Sequence, residues 1–193
     1  MSIPRDQLSF GKVFLLSCLA GTVCVLAFAA WSHFRSDEPK LAPPHHLAQG
    51  IDLSAQLSPA SMGTMKALGY KTVIDLRPDG EASDEPSAAV MESASHTAGL
   101  AFHYVPVPHG DIPQASVDAL RAALAQHHGP VIVYCRSGKR AARTWALAEA
   151  GRPDGLSTEQ IISAVQAAGQ DAHDLRFRID ELISSRSSSK GLQ

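Results

Sequence analysis

An α/β fold, with a mainly parallel central sheet flanked by helices, is predicted by three features of this sequence. Short β-branched runs recur along the chain, each followed by a stretch of helical periodicity, the alternation that builds parallel sheets with helices on both faces. Glycine and proline punctuate the joins, as at Gly69, Gly99 and Gly129-Pro130. One strand, Val131-Ile132-Val133-Tyr134, runs directly into Cys135-Arg136-Ser137-Gly138-Lys139-Arg140, a basic turn containing glycine, and a helical pattern starts at Ala141. In open α/β sheets the site lies outside the carboxyl ends of the strands, which is where this turn falls.

Each element follows from local chemistry. Residues 13–31 carry no charge and are almost wholly apolar. As a helix this run would measure about 28 Å, close to the ~30 Å of a hydrocarbon core, so one N-terminal transmembrane helix is expected. Arg5 and Lys12 precede it and mixed charges follow, which favours residues 1–12 in the cytoplasm and the rest outside, in the periplasm of a Gram-negative source. A cleavable signal is the competing reading, because Ala27-Phe28-Ala29 fits a small-x-small site. Residues 32–50, with Pro39, Pro43-Pro44 and His45-His46, read as a stiffened linker. A folded domain is expected over 51–184. It contains a helix at 59–68 opened by Ser58-Pro59, a strand at 71–76, a helix at 86–98, a strand at 101–107 and a helix at 116–127. The strand and turn at Cys135 come next, then the Ala141 helix and two amphipathic helices near 157–168 and 172–183. The serine-rich tail 185–193 has no apolar periodicity and is expected to be disordered.

Composition narrows the function. The chain has 193 residues, 45% of them apolar, with a formal net charge of −2 and no basic stripe interleaved with aromatics, so nucleic acid is set aside as a partner. Of its three cysteines, Cys18 and Cys24 lie in the apolar N-terminal run, leaving Cys135 without a partner in the folded domain. A structural disulfide and a multi-cysteine zinc site are therefore excluded there. The His45-His46 pair has no neighbouring ligands to make a metal site, and no cofactor is called for.

What remains for Cys135 is chemistry. A strand, a short loop and a helix start place backbone amides where anions bind, and three cationic side chains in such a loop favour the thiolate. Gly138 permits close backbone approach, Arg140 is placed as a bidentate clamp, and Ser137 can donate to the anion or the thiolate. Arg136 and Lys139 set the local field. Asp111, on a glycine-flanked loop after the 101–107 strand, is the first candidate for a proton donor, with His109 as an alternative. Arg77 can pair with Asp79 or Glu81, and Arg143 can share the face of Arg140 one turn along.

The Cys-Arg-Ser-Gly-Lys-Arg turn resembles the active loop of the phosphatase and rhodanese superfamilies. A wider set of segments narrows this. Val73-Ile74-Asp75-Leu76-Arg77-Pro78-Asp79-Gly80-Glu81, Pro106-Val107, Val133 to Gly138 and Thr144-Trp145-Ala146-Leu147-Ala148 are together similar to the beta-lactamase-hydrolase-like phosphatase-like domain. The resemblance spans roughly 52–183 and implies a cysteine-dependent phosphatase-like fold. It makes Cys135 the nucleophile and Asp111 the acid. One departure counts against the full phosphatase pattern. Only four residues separate Cys135 from Arg140, where protein phosphatases have five, and Tyr134 stands where they have histidine. The six-residue turn is instead similar in length to that of rhodaneses, which suits a persulfide. Three functions therefore stay open: a membrane-anchored phosphatase working through a phospho-cysteine, a sulfurtransferase taking a sulfane sulfur as a Cys135 persulfide, and a non-catalytic anion-binding or redox-sensing module.

Overall fold

The computed structural model describes residues 22–25, 42–83, 85–126 and 129–190. It divides into two units, Met1–Lys40 and Leu41–Gln193. Of the first unit only a helical fragment at 22–25 is described; the rest of the expected membrane segment lies outside the described residues. No helix among the described residues is long and apolar enough to cross a membrane.

The second unit holds a five-stranded sheet flanked by helices. Strand β1 is His45–Ala48 and β2 is Ile51–Ser54, joined by a tight turn. A short 3-10 turn, Pro59–Ser61, leads into helix α1, Met62–Ala67. Then come β3 (Thr72–Asp75), α2 (Ala88–Thr97), β4 (Ala101–Tyr104) and α3 (Gln114–Ala125). Strand β5 (Val131–Tyr134), α4 (Lys139–Ala150), α5 (Thr158–Ala167), a 3-10 turn at His173–Leu175 and α6 (Arg176–Lys190) complete it. The strand order is β1-β2-β5-β3-β4. All neighbours are parallel except β1, which pairs antiparallel with β2 at the edge. The sheet is thus mixed, with a parallel body and one reversed edge strand.

Alternation along the strands divides the core. Val131 and Val133 of β5, with Ile74 of β3, face one buried layer that includes Val117, Leu120, Trp145, Leu147, Ile161 and Ile179 from α3 to α6. Ile132 and Tyr134, with Val73, face the other, built on Leu57, Met62, Met65 and Met91 around α1 and α2. Period-two side chains on a strand buried on both faces give the continuous apolar run seen in the sequence. Helix starts are capped as their residues dictate: Ser87 accepts from the Val90 amide, and Ser157 with Gln160 forms a capping box. Helix α4 differs. Gly138 precedes it in the left-handed region, at φ 86°, and no side chain caps its first amides.

Four differences from the sequence expectations have local causes. His45-His46, read as linker, belong to β1, where the His46 ring lies 3.0 Å from Asp52. Strand β2 was not anticipated; Ile-Asp-Leu-Ser is too short to show a period, and pairing with β5 supplies what propensity does not. Helix α4 begins at Lys139, two residues before Ala141, so Lys139 and Arg140 are in its first turn. Helix α6 continues to Lys190, into the stretch expected to be a disordered tail.

Leu147, fully buried in α4, is a measure of how far this packing carries stability. Leu147→Ala should lower unfolding free energy by about 3 kcal/mol, read from urea midpoints, because the interior around it is held on two sides and cannot collapse.

Candidate active site

Cys135 emerges from the middle of the parallel body. Tyr134, the last residue of β5, is in register with Ser54 of β2 on one side and Asp75 of β3 on the other. The next residue therefore leaves the sheet at its carboxyl edge, and Cys135 is 1% exposed. Two contacts shape the loop that follows. The Arg136 carbonyl accepts from the Gln56 amide at 3.3 Å, and the Ser137 carbonyl accepts from Gln170 Nε2 at 3.3 Å. With both carbonyls tied outward, planar peptides turn the amides of Ser137 and Gly138 the opposite way, towards the loop centre. Gly138 suits its place because its φ is positive; a Cβ there would also sit close to Leu53 at 3.4 Å and to the end of Gln170 at 3.3 Å. The uncapped start of α4 adds its own amides to the same concavity.

Arg140 reaches back to the sulfur from the first turn of α4. Its pKa is raised. Burial works against the charge, but the hydrogen bond that Arg140 donates to Glu81, the Cys135 sulfur and the Glu81 charge together outweigh it. The bonding is specific about which donors are used. Nη1 gives one hydrogen to Glu81 Oε1 and the other to the Val107 carbonyl at 2.6 Å, while Nη2 gives one to Glu81 Oε2 at 2.6 Å. Of the five N–H groups on a guanidinium, these three occupy the end and one side. The remaining pair, on Nε and Nη2, lies along the other edge as a fork of the kind that grips tetrahedral oxyanions.

Glu81 is the hub of this arrangement. Its side chain is 9% exposed and meets Arg140, Arg77 Nε at 3.2 Å and His109 Nε2 at 3.3 Å. The Arg140 hydrogen bond, against the opposing effect of burial, holds its carboxyl below the ordinary range. Arg77 is itself buried, donating to Gln56 Oε1 at 2.8 Å and lying 2.6 Å from Glu85. Asp79 does not pair with Arg77; it accepts from the Ala88 amide at 2.7 Å and ties the loop to α2.

Beneath the loop, Asp75 is 3% exposed and accepts from the Arg77 amide at 2.8 Å, with the Tyr134 hydroxyl beside it. Burial is the first cause that pushes its pKa up to about 6; the nearby Tyr134 hydroxyl and the Arg77 amide partly offset it.

A cleft of about 490 Å³ opens above Arg140, lined by His109, Gly110, Lys139, Arg143, Asp171 and Asp174. Arg143 holds Asp174 with both Nη groups, the second at 2.7 Å. Of the residues expected at the site, Cys135, Gly138 and Arg140 converge, Lys139 forms part of the cleft wall, and the Arg136 and Ser137 side chains face solvent from the loop. Asp111 lies elsewhere. Its side chain is 95% exposed, and Oδ1 accepts from the Ile112 amide at 2.8 Å with Arg178 Nη1 3.6 Å away. Sequence reasoning had Glu81 only as a partner for Arg77 and did not reach Gln56, Gln170, Asp171 or Asp174. The Arg77–Glu81 spacing was the one signal available; the others join the site through tertiary contacts alone.

A buried cysteine at the end of a central parallel strand, an amide-lined loop and an arginine fork define a cysteine-phosphatase-like α/β domain. A family model matches residues 45–152, and the chain belongs to that family, the phosphatase-like domain of the beta-lactamase hydrolase-like protein. Curated relatives are the beta-lactamase hydrolase-like proteins of Xylella fastidiosa, 42% identical over 81 residues, and of Agrobacterium fabrum, 32% identical over 100 residues. These alignments cover 42% and 52% of this chain but only 19% and 23% of the relatives, so the chain spans about a fifth of their length. Among solved structures, a Neisseria meningitidis protein assigned as a phosphatase superposes with TM-score 0.62 at 33% identity, covering 72% of this chain and 96% of that one. P. aeruginosa TpbA, solved as a cysteine-to-serine variant in complex with pTyr, shares the fold at TM-score 0.53 and 17% identity, over 78% of this chain and 98% of its own.

Two outcomes follow from this geometry. Glu81→Gln leaves Arg140 without its carboxylate partner, while Arg77 keeps Glu85, and should cost about 3 kcal/mol of stability by chemical denaturation. Asp75 gives a pH signature. The unfolded chain loses this proton near pH 4, whereas the folded chain keeps it to about 6. Between those values the unfolded state binds fewer protons, so stability falls as pH rises. Relative to Asp75→Asn, the wild type should lose roughly 2–3 kcal/mol between about pH 4 and pH 6.

Proposed function

We propose that the chain is a cysteine-dependent phosphatase whose Cys135 thiolate attacks a phosphoester. The observation that carries this reading is the Arg140 guanidinium next to the Cys135 sulfur, with Glu81 and the Val107 carbonyl on three of its donors and the Nε/Nη2 edge left for the sulfur and its substrate. Three equatorial phosphoryl oxygens need several fixed donors, and a preorganised set acts without reorganising during reaction. Sγ forms a bond to phosphorus as the bond to the leaving oxygen breaks. Arg140 and the loop amides hold the oxygens, and water then cleaves the phospho-cysteine. Glu81 keeps the fork aimed by occupying the guanidinium's other end. Family membership and the likeness to the Neisseria protein support the same reading. Tethering through residues 13–31, with the domain outside the cytoplasm, is part of the proposal; it rests on the apolar run alone.

The short Cys135-to-Arg140 spacing is the observation that favours the other chemistry, transfer of a sulfane sulfur through a Cys135 persulfide. The purified full-length chain separates the two. With p-nitrophenyl phosphate, Cys135→Ser should abolish turnover, and Arg140→Lys, which keeps the charge but loses the fork, should slow kcat about 10²-fold. Mass spectrometry should find Cys135 carrying one phosphoryl group after rapid quench. Inert phosphoesters, with Cys135 gaining one sulfur mass from thiosulfate, would establish sulfur transfer instead.

A further inference from the structure

We propose that His109 is the general acid that protonates the leaving oxygen; this rests on the phosphatase reading above. A phosphoester with a poor leaving group needs a proton donor beside the departing oxygen, here one at the cleft lined by Arg140. Three carboxyl groups and one imidazole in or near the cleft could serve. Asp111 is outside the cleft, 95% exposed, with its carboxylate engaged by its own loop and facing Arg178. Asp174 lines the cleft, but Arg143 grips both its oxygens and the pair holds its carboxyl below the ordinary range, so it is ionised when the enzyme works. Asp171 also lines the cleft, and its Oδ1 accepts from the His173 amide at 3.0 Å and meets the His173 ring at 2.8 Å, which again favours the carboxylate. His109 remains.

Its geometry is that of an oriented acid. The His109 ring borders the cleft beside Arg140, and Nε2 lies 3.3 Å from Glu81 Oε1. A carboxylate on Nε2 fixes the orientation of the ring and leaves Nδ1 as the second donor position. The same Glu81 holds Arg140, so one buried carboxylate sets both the clamp on the phosphoryl oxygens and the position of the acid. Facing His109 are Glu81 from the loop after β3, Lys139, Arg140 and Arg143 from α4, and Asp171 and Asp174 from the connection between α5 and α6. In the step itself the Sγ–P bond forms, the P–O bond breaks, and the electron pair left on oxygen takes the Nδ1 proton. Neutral His109, with Nε2–H still on Glu81, then accepts a proton from the water that attacks the phospho-cysteine, restoring the imidazolium.

A general acid shows itself in leaving-group dependence, which a merely structural residue does not move. On the full-length chain, His109→Gln should slow phenyl phosphate about 10²-fold or more in kcat, while p-nitrophenyl phosphate, whose leaving group departs without help, changes far less. Added imidazole should partly restore phenyl phosphate turnover to His109→Ala. Asp111→Asn should keep the wild-type dependence. The assignment is overturned if His109→Gln treats both substrates as the wild type does, and more so if Asp111→Asn acquires the steep dependence. If the wild type hydrolyses neither ester, the assignment falls together with the phosphatase reading, and that outcome is distinct because it is seen before any substitution is made.

Discussion

Glu81 lies between the buried Arg77 and the partly buried Arg140, and most of what distinguishes this site depends on that placement. An ion pair 4 Å apart near a protein surface gains about 4 kcal/mol, and withdrawing the charges from water costs several kcal/mol for each ion. The two nearly cancel, so the pair is poorly explained as a source of stability. What it provides is direction. By occupying the end of the Arg140 guanidinium, with the Val107 carbonyl on the adjoining side, Glu81 leaves a single free edge for an anion. Arg77 then fixes Glu81, and Gln56 with Glu85 fixes Arg77. The chain of contacts ends in the sheet, because the Arg77 amide is held by the buried Asp75 at the end of β3.

The sheet explains why these parts meet. Three parallel strands, β2, β5 and β3, end side by side, and each sends its next residues over the same edge. From β2 come Gln56 and its amide, from β3 the Arg77–Glu81 loop, and from β5 Cys135 itself. Two of these segments take a positive φ, the Arg77–Glu81 loop at Gly80 (84°) and the turn into α4 at Gly138 (86°), and at both the residue is glycine.

The short spacing between cysteine and arginine also has a structural counterpart. Position 141, where the longer phosphatase loop would place its arginine, holds an alanine that is fully buried. Arg140 therefore comes from the first turn of α4, and the helix starts two residues earlier than its composition suggests. A compact loop brings the guanidinium close to the sulfur but places it within reach of Glu81, so the carboxylate and the spacing form one arrangement.

Much of this was legible in the sequence. The alternation of strand and helix, the break at Gly129-Pro130, and the placing of Cys135 at the end of β5 with Gly138 and Arg140 in the turn beyond it all follow from residue type and order, because propensity, turn chemistry and charge act locally. Strands β1 and β2 did not follow, since four-residue runs gain their stability from pairing with distant partners. Nor did the site's second half. Asp111 has the right residue type on the right loop, yet the loop turns its carboxylate outward, while His109, two residues earlier, faces the cleft. Glu81 lies 59 positions from Arg140 along the chain. A local pattern determines which groups are reactive; which of them meet, and along which edge, is decided only when strands distant in sequence end at the same place.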